Sequence, residues 1–385
     1  MVIKKNIPQL RFPEFEGEYE KRILNDTCTI VGGGTPDSGK EELWNGHIQW
    51  FTPTEIKMDY VSKSERTITE LGLKKSSARI LPKGTILLTS RATIGEVAIA
   101  LNECTTNQGF QSLIVNKLYN NLFIFNWIKN NRYQFVRRAN GSTFLEISKS
   151  EIGKIPICTP TLPEQQKIAS FFTAIDQKIS QLKRKLILLE QYKKGLMQKI
   201  FTQQIRFKDD NGQEFPKWEK KKLGDCLDYI QPTKYIVNTT EYDNSYQIPV
   251  LTAGKSFILG YTDETEGIYN DCLPVIIFDD FTTSSQFVDF AFKVKSSAMK
   301  ILVAKLNVNI KYIFEAMQTL NYEIGGHERH WISKFSPMCI DLPSLPEQTK
   351  IASFLSTIDD KITHTQKQIE KAEVWKKGLM QQMFV

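Results

Sequence analysis

Residues 162–201 read LPEQQKIASFFTAIDQKISQLKRKLILLEQYKKGLMQKIF, and residues 345–384 read LPEQTKIASFLSTIDDKITHTQKQIEKAEVWKKGLMQQMF. The two stretches align at a constant offset of 183 residues, without a gap, and 21 of the 40 positions are identical. A repeat of this length dictates architecture more firmly than any short motif. Each copy follows a longer segment with no obvious counterpart, so the chain reads block, helix, block, helix.

Both copies carry a helix start. Thr161-Leu-Pro-Glu164 and Ser344-Leu-Pro-Glu347 fit the capping-box pattern, with proline in the first turn. Apolar positions then run Ile175, Ile179, Leu182, Leu186, Leu189 in one copy and Ile358, Ile362, Thr365, Ile369, Ala372 in the other. The 4-3-4-3 spacing is that of a coiled-coil seam, weaker in the second copy. Nearly forty helical residues span roughly 55–60 Å. A lone helix of that length with one apolar stripe needs a partner, and the other copy supplies it. Both copies keep Lys-Lys-Gly-Leu-Met-Gln, at 193–198 and 376–381. Glycine inside a helix costs about 1 kcal/mol relative to alanine, so its repetition points to a close approach by another chain or to a helix end.

The resemblance extends beyond the helices. Gln204-Ile-Arg-Phe207 and Trp218-Glu-Lys-Lys-Lys-Leu-Gly-Asp225 follow the first helix. Gln9-Leu-Arg-Phe12 and Tyr19-Glu-Lys-Arg-Ile-Leu-Asn-Asp26 open the chain. Before the helices, Gly141-x5-Ile-Ser-Lys149 matches Gly326-x5-Ile-Ser-Lys334. The repeat is therefore circular, and its unit is block plus helix. Antiparallel pairing of the helices makes the halves pseudo-two-fold mates. It also brings the chain termini together, expected near the point where the first helix meets the second block.

The 385 residues suffice for two or three domains. No apolar run approaches a membrane span, and no secretion signal follows the N-terminal lysines. Six scattered cysteines, with no Cys-x-x-Cys pair, fit reduced thiols in a cytoplasmic protein. The net charge of +7 divides into +5 for residues 1–161, +5 for 162–205, −4 for 206–344 and +1 for 345–385. The first half suits a polyanion. The second block does so only if its positive groups are clustered.

Within the first block, Ile80–Ser90 reads as turn then strand, Val97–Leu101 and Phe110–Val115 as strands, and Leu122–Ala139 as a helix. In the second, strands are expected around Val250, Val275–Phe278 and Phe287–Val294, with a helix over Ile310–Leu320. Both blocks read as α/β domains whose strand order is not specified. Gly34-x4-Gly39-Lys40 has phosphate-loop spacing, but Glu41 stands where a hydroxyl is required. Asp37, Glu55 and Lys57 match a loose metal-nuclease pattern that recurs by chance. His327 and His330 lack the Cys or carboxylate cluster that a zinc site needs. No Asn-Pro-Pro-aromatic or Asp-Pro-Pro-aromatic tetrapeptide of an adenine methyltransferase occurs.

Groups suited to base edges are better represented. Ser90, Arg91 and Thr93 lie in a turn after a strand, and Asn107 and Gln108 precede the next one. Arginine pairs two-pronged with guanine, and Asn or Gln with adenine. Trp44, His47 and Trp50 offer stacking surface, and Lys74, Lys75 and Lys255 offer charge. In the second block Asp279-Asp280, Thr282, Thr283, Ser284, His327, Arg329 and His330 are the comparable groups.

Together these residues resemble the specificity subunit of type I restriction-modification enzymes, over essentially the whole chain. The marks are Gly33-Gly-Thr-Pro36, Ser90-Arg-Ala-Thr-Ile-Gly95, Thr106-Asn-Gln-Gly-Phe110 and both Leu-Pro-Glu-Gln helices. Pro249-Val-Leu-Thr252 and Ile276-Ile-Phe-Asp-Asp280 look like second-block counterparts. The resemblance implies an α/β (α+β) chain. Two target-recognition domains, 1–161 and 206–344, are separated by spacer helices 162–205 and 345–385, paired as an antiparallel coiled coil. It implies a non-catalytic subunit that reads a bipartite target in double-stranded DNA and docks two methyltransferase subunits, with or without restriction subunits. S-adenosylmethionine is then expected on the partner, and no cofactor on this chain. Two other classes fit parts of the sequence: a protein-interaction scaffold that does not bind DNA, and a metal nuclease at Asp37, Glu55 and Lys57.

Overall fold

The computed structural model describes residues 6–141, 145–254, 256–320, 322 and 329–385. The chain divides into two units, Met1–Lys183 with Lys367–Val385, and Arg184–Gln366. Each unit therefore holds one globular domain and one end of each long helix. Among the described residues no helix is long and apolar enough to cross a membrane.

In the first unit a five-stranded sheet runs in the order Cys28–Gly32, Gln111–Val115, Ile86–Leu88, Val97–Ala100, Tyr60–Val61. A three-stranded sheet has Trp44–Phe51 at its centre, antiparallel to Arg66–Ile68 and parallel to Thr105–Thr106. The second unit repeats this plan. Its larger sheet runs Leu227–Ile230, Met299–Ala304, Val275–Asp279, Ser285–Val288. Its smaller sheet has Ile248–Leu251 at its centre, antiparallel to Ile258–Thr262 and parallel to Lys293–Val294. Two blocks without obvious sequence similarity thus share one topology, and among the described residues the second has four strands in its larger sheet where the first has five.

Local chemistry refines several boundaries. The expected helix over Leu122–Ala139 is two helices, Asn121–Asn130 and Arg132–Arg137. They break at Asn131, whose side-chain amide donates to Trp127 O. Asparagine competes with helical backbone bonds in this way. The strand expected over Phe287–Val294 is likewise two, Ser285–Val288 and Lys293–Val294, which belong to different sheets.

The long helices are Leu162–Phe201 and Leu345–Met383. In the first unit Phe172 stacks on Phe384 at 5.9 Å, Asp176 binds Lys376, and Lys183 binds Glu373 at 2.7 Å. Rising numbers on one helix meet falling numbers on the other, so the pairing is antiparallel. In the second unit Lys193–Asp359 and Arg206–Glu347 show the same sense. Ile175, Ile179, Leu182, Ile358 and Ile369 are buried in this seam, while Leu186, Leu189 and Ile362 are half-buried. Thr365 is fully buried, its hydroxyl turned back on Lys361 O.

Leu10 N–H donates to Gln382 O at 3.0 Å, so the two ends of the chain do meet. The meeting place differs from the one expected. Phe384 lies on Phe172 and Phe123, near the start of the first helix, because an antiparallel partner ends where the first helix begins. The main core of the first domain accordingly includes Leu379, Met380, Met383 and Phe384 beside Leu24, Leu113 and Trp127. Met197 and Ile200 play the same part beside Tyr312, Leu355 and Ile358 in the second.

The circular repeat is explained by what its pieces touch. Glu164 accepts from Arg11 at 2.7 Å and from the Tyr19 hydroxyl at 3.0 Å. Glu347 accepts from Arg206 at 2.8 Å and from the Trp218 indole at 3.0 Å. Phe12 meets Phe171, and Phe207 meets Phe354, both edge-on at 5.5 Å. Gln165 accepts from Asn120 N–H and donates to Pro160 O; Gln348 does the same with Asn309 and Pro343. The Leu-Pro-Glu-Gln glutamates are therefore tertiary anchors rather than members of capping boxes. Ser344 Oγ is buried with no hydrogen-bond partner.

Candidate nucleic-acid interface

Three loops of the first domain that the sequence singles out come together. Gly34 N–H donates to Thr106 O at 2.9 Å, and the Thr35 hydroxyl bonds the Gln108 amide oxygen. A side chain at Gly33 would collide with the backbone oxygens of Thr106 and Asn107, so only glycine allows this approach. Ser90 N–H donates to Gly109 O at 2.8 Å, tying the Ser90–Gly95 turn to the same place. The loops 33–36, 90–95 and 106–110 thus form one surface.

The individual residues fare differently on it. Gln108, Arg91 and Thr93 are exposed, and Asn107 is half-buried. Arg91 pairs with Glu146 at 2.9 Å. The amide oxygen of Asn107 closes its own loop by accepting from Gly109 N–H. Lys74 and Lys75 are exposed. Ser90 is fully buried, so its role is the backbone bond to Gly109. Trp44 and Trp50 are also buried, 5.0 Å apart and edge-on, and offer no open face to a base. His47 is exposed beside Glu70 at 3.3 Å.

The second domain corrects the sequence reading more sharply. His330 is fully buried. Its N–H donates to Asp280 O at 2.8 Å, as Ile147 N–H donates to Ser90 O at 3.0 Å. Ile147 and His330 are 183 residues apart, the offset of the helices, whereas the Gly-x5-Ile-Ser-Lys alignment uses 185. Buried Ile147 corresponds to His330, and Ile332 is exposed, so that alignment slips by two residues. His330 Nδ1 bonds the Tyr322 hydroxyl at 3.1 Å. Asp280 is buried too, accepting from Trp331 N–H at 2.8 Å and lying 3.6 Å from buried Lys300. One carboxylate of the acidic block is thus neutralised inside the fold. Thr282 and Arg329 are exposed, and Thr283 and Ser284 half-buried. Lys255 and His327 lie outside the described residues.

The nuclease constellation is not assembled. Asp37 accepts from Gly39 N–H within its own turn, and Glu55 accepts from Thr52 and from Glu65 N–H. Among the described residues no group of three His, Cys, Asp or Glu is placed to hold a metal ion. All six cysteines are free, and burial pushes the Cys28 and Cys104 thiols up to about 12.

Comparison with known proteins gives the chain its class. The family model of the type I restriction modification DNA specificity domain matches residues 16–191 and again 216–374. The chain belongs to that family, the specificity subunits of type I restriction-modification enzymes, which recognise DNA and are not themselves catalytic. It is 30% identical to the MjaIX specificity subunit of Methanocaldococcus jannaschii over 388 residues, covering 91% of this chain and 89% of that one. A stretch of 150 residues is 50% identical to the EcoR124I/EcoR124II specificity subunit of Escherichia coli, covering 37% of each chain. The fold matches the S subunit from M. genitalium with a TM-score of 0.68 at 15% identity, covering 98% of this chain and 99% of that one.

Proposed function

We propose that the two domains read the two halves of a split DNA target, that the helix pair sets the gap between them, and that two methyltransferase subunits dock at equivalent places. The supporting observation is that one topology occurs twice and is fastened to the helices by the same contacts each time: Arg11–Glu164 and Arg206–Glu347, Phe12–Phe171 and Phe207–Phe354.

Each unit also carries a groove lined by the same repeat positions. In the first it is bounded by Lys129, Asp176, Ile179, Glu373 and Lys376. In the second it is bounded by Gln318, Asp359, Ile362, Glu190 and Lys193. Beside them Tyr192 and Trp375 are exposed, and Gly195 and Gly378 lie inside their helices with open space where a side chain would be. Neither glycine ends a helix. A repeated mid-helix glycine facing open space suits the close approach of a second chain.

On this reading the partner binds S-adenosylmethionine, flips an adenine and methylates it, while this chain holds no cofactor. Double-stranded DNA is the ligand of the domains, and a restriction subunit can join the same scaffold. Replacing residues 1–161 by another such block should change one half of the methylated site and leave the other. Lengthening both helices by one turn should change the spacer alone. Methylome sequencing of a host expressing the complex reads out both; changes in both halves, or an unaltered spacer, would contradict the assignment.

A further inference from the structure

We propose that Arg66 is a DNA contact of the first domain, held ready by Trp44 to grip two acceptor atoms at once. The inference rests on the DNA-reading assignment above and adds a residue to it.

The Arg66 guanidinium carbon lies 3.6 Å from the centre of the Trp44 ring and 5.8 Å from that of Trp50. At 3.6 Å a guanidinium can only lie flat on the indole. The platform itself is fixed. Trp44 Nε1 donates to Asp37 O at 3.0 Å, and Trp50 Nε1 to Gly34 O at 2.8 Å. Both acceptors belong to the glycine-rich loop, so the indoles that buttress that loop also carry Arg66.

The guanidinium is uncommitted. Among the described residues it makes no hydrogen bond and no ion pair, and Arg66 is exposed. By contrast Arg11, Arg22, Arg91, Arg132 and Arg206 each bind a carboxylate. Two carboxylates of the neighbourhood have partners, Glu70 with His47 and Glu55 with Thr52 and Glu65 N–H. Exposed Lys74 and Lys75 end a short helix whose Leu73 packs on the same tryptophan cluster. Their charge lies beside the tryptophan platform that carries Arg66.

Position completes the case. Arg66 pairs with Trp50 across the small sheet, and Trp50 with Thr105. Two strand spacings put Arg66 about 10 Å from the strand that leads into Asn107 and Gln108. That is about three base-pair steps, within one recognition footprint. A flat, pre-ordered fork with free donors matches the O6 and N7 edge of guanine or two phosphate oxygens, and loses little entropy on binding.

The test uses the full chain assembled with its methyltransferase, comparing wild type, R66Q and R66K. Duplex binding is titrated against salt, and methylated sites are sequenced. R66Q should lower affinity for the wild-type target on the order of 10- to 100-fold. A guanine contact relaxes one position of one half-site in both variants. A phosphate contact leaves the motif intact and lowers the salt slope by about one in R66Q, with R66K restoring it. Retained recognition of the remaining positions of the first half-site reports that the substituted domain is folded, and the second half-site serves as the internal reference for assembly. R66Q that binds and methylates like wild type with an unchanged salt slope overturns the proposal. A wild-type complex whose methylated sites do not depend on this chain overturns the DNA reading beneath it.

Discussion

Lys193 on the first long helix binds Asp359 on the second at 2.7 Å, and the repeat carries that pair over, residue for residue, to Lys376 and Asp176. Adding 183 to 193 and to 176 gives 376 and 359. Antiparallel pairing of like sequences makes each contact occur twice. The two copies nonetheless sit in different company. In the second unit Lys311 and fully buried Glu315 complete a four-charge network. Counted from the helix caps Asn120 and Asn309, the first unit has Leu122 and Asn126 at those places.

Removing Lys193 should therefore cost more than removing Lys376. K193A leaves Glu315 buried with Lys311 as its one cation, and about 3 kcal/mol of stability should go. K376A breaks one pair whose aspartate is 31% exposed, and should cost about 1–2 kcal/mol. Urea midpoints of the two variants compare them directly; equal losses would mean that the network adds nothing to the pair.

Acid should act on the same network. Burial pushes the Asp359 carboxyl up, but hydrogen bonds from Lys193 and Lys311 outweigh it and hold it below its ordinary 3.8. A depressed carboxylate contributes stability that is present above its unfolded value and lost as pH falls through the folded one. Burial likewise pushes Lys311 down, while Glu315 and Asp359 raise it above 10.5. Its contribution holds below the unfolded value and is lost as pH rises through the folded one. Thermal stability should be level between about pH 5 and 9 and fall below about pH 4. D359N should flatten the acid limb.

The Glu164 cradle should govern the start of the chain. Glu164 is 1% exposed and anchors both Arg11 and Tyr19. E164A should free residues 6–19 from the helix and speed tryptic cleavage at Arg11 by an order of magnitude, an opening of about 1.4 kcal/mol. E347A should do the same at Arg206, with no change at Arg11.

The helical glycines separate folding from docking. With open space above each, G195A and G378A should stabilise the isolated chain by about 0.5–1 kcal/mol apiece. Both should weaken association with the methyltransferase, measured by calorimetry. Stabilisation without weaker association would place the partner elsewhere.

Much of the architecture was legible because a gapless repeat states helix length, seam and pairing at once. Strand order was not, since pairings such as Trp50 with Thr105 join residues far apart in sequence. Side-chain roles were legible only in part. Arg91 and Gln108 are exposed as a polar loop suggests, whereas Trp44, Ser90 and His330 are turned inward. Nothing local distinguishes a tryptophan that stacks on DNA from one that supports an arginine. Glu164 matched a local capping pattern, but Arg11 outbids a backbone N–H for its charge.

The first domain's core holds Leu379, Met380, Met383 and Phe384, so its floor is made only after the whole second unit. Arg184–Gln366 must be translated before that floor exists. At about 5–20 residues per second the nascent first domain waits roughly 10–40 s with its apolar underside uncovered. A stop codon between Gln366 and Leu379 would thus harm the domain of residues 1–161 and spare that of residues 206–344.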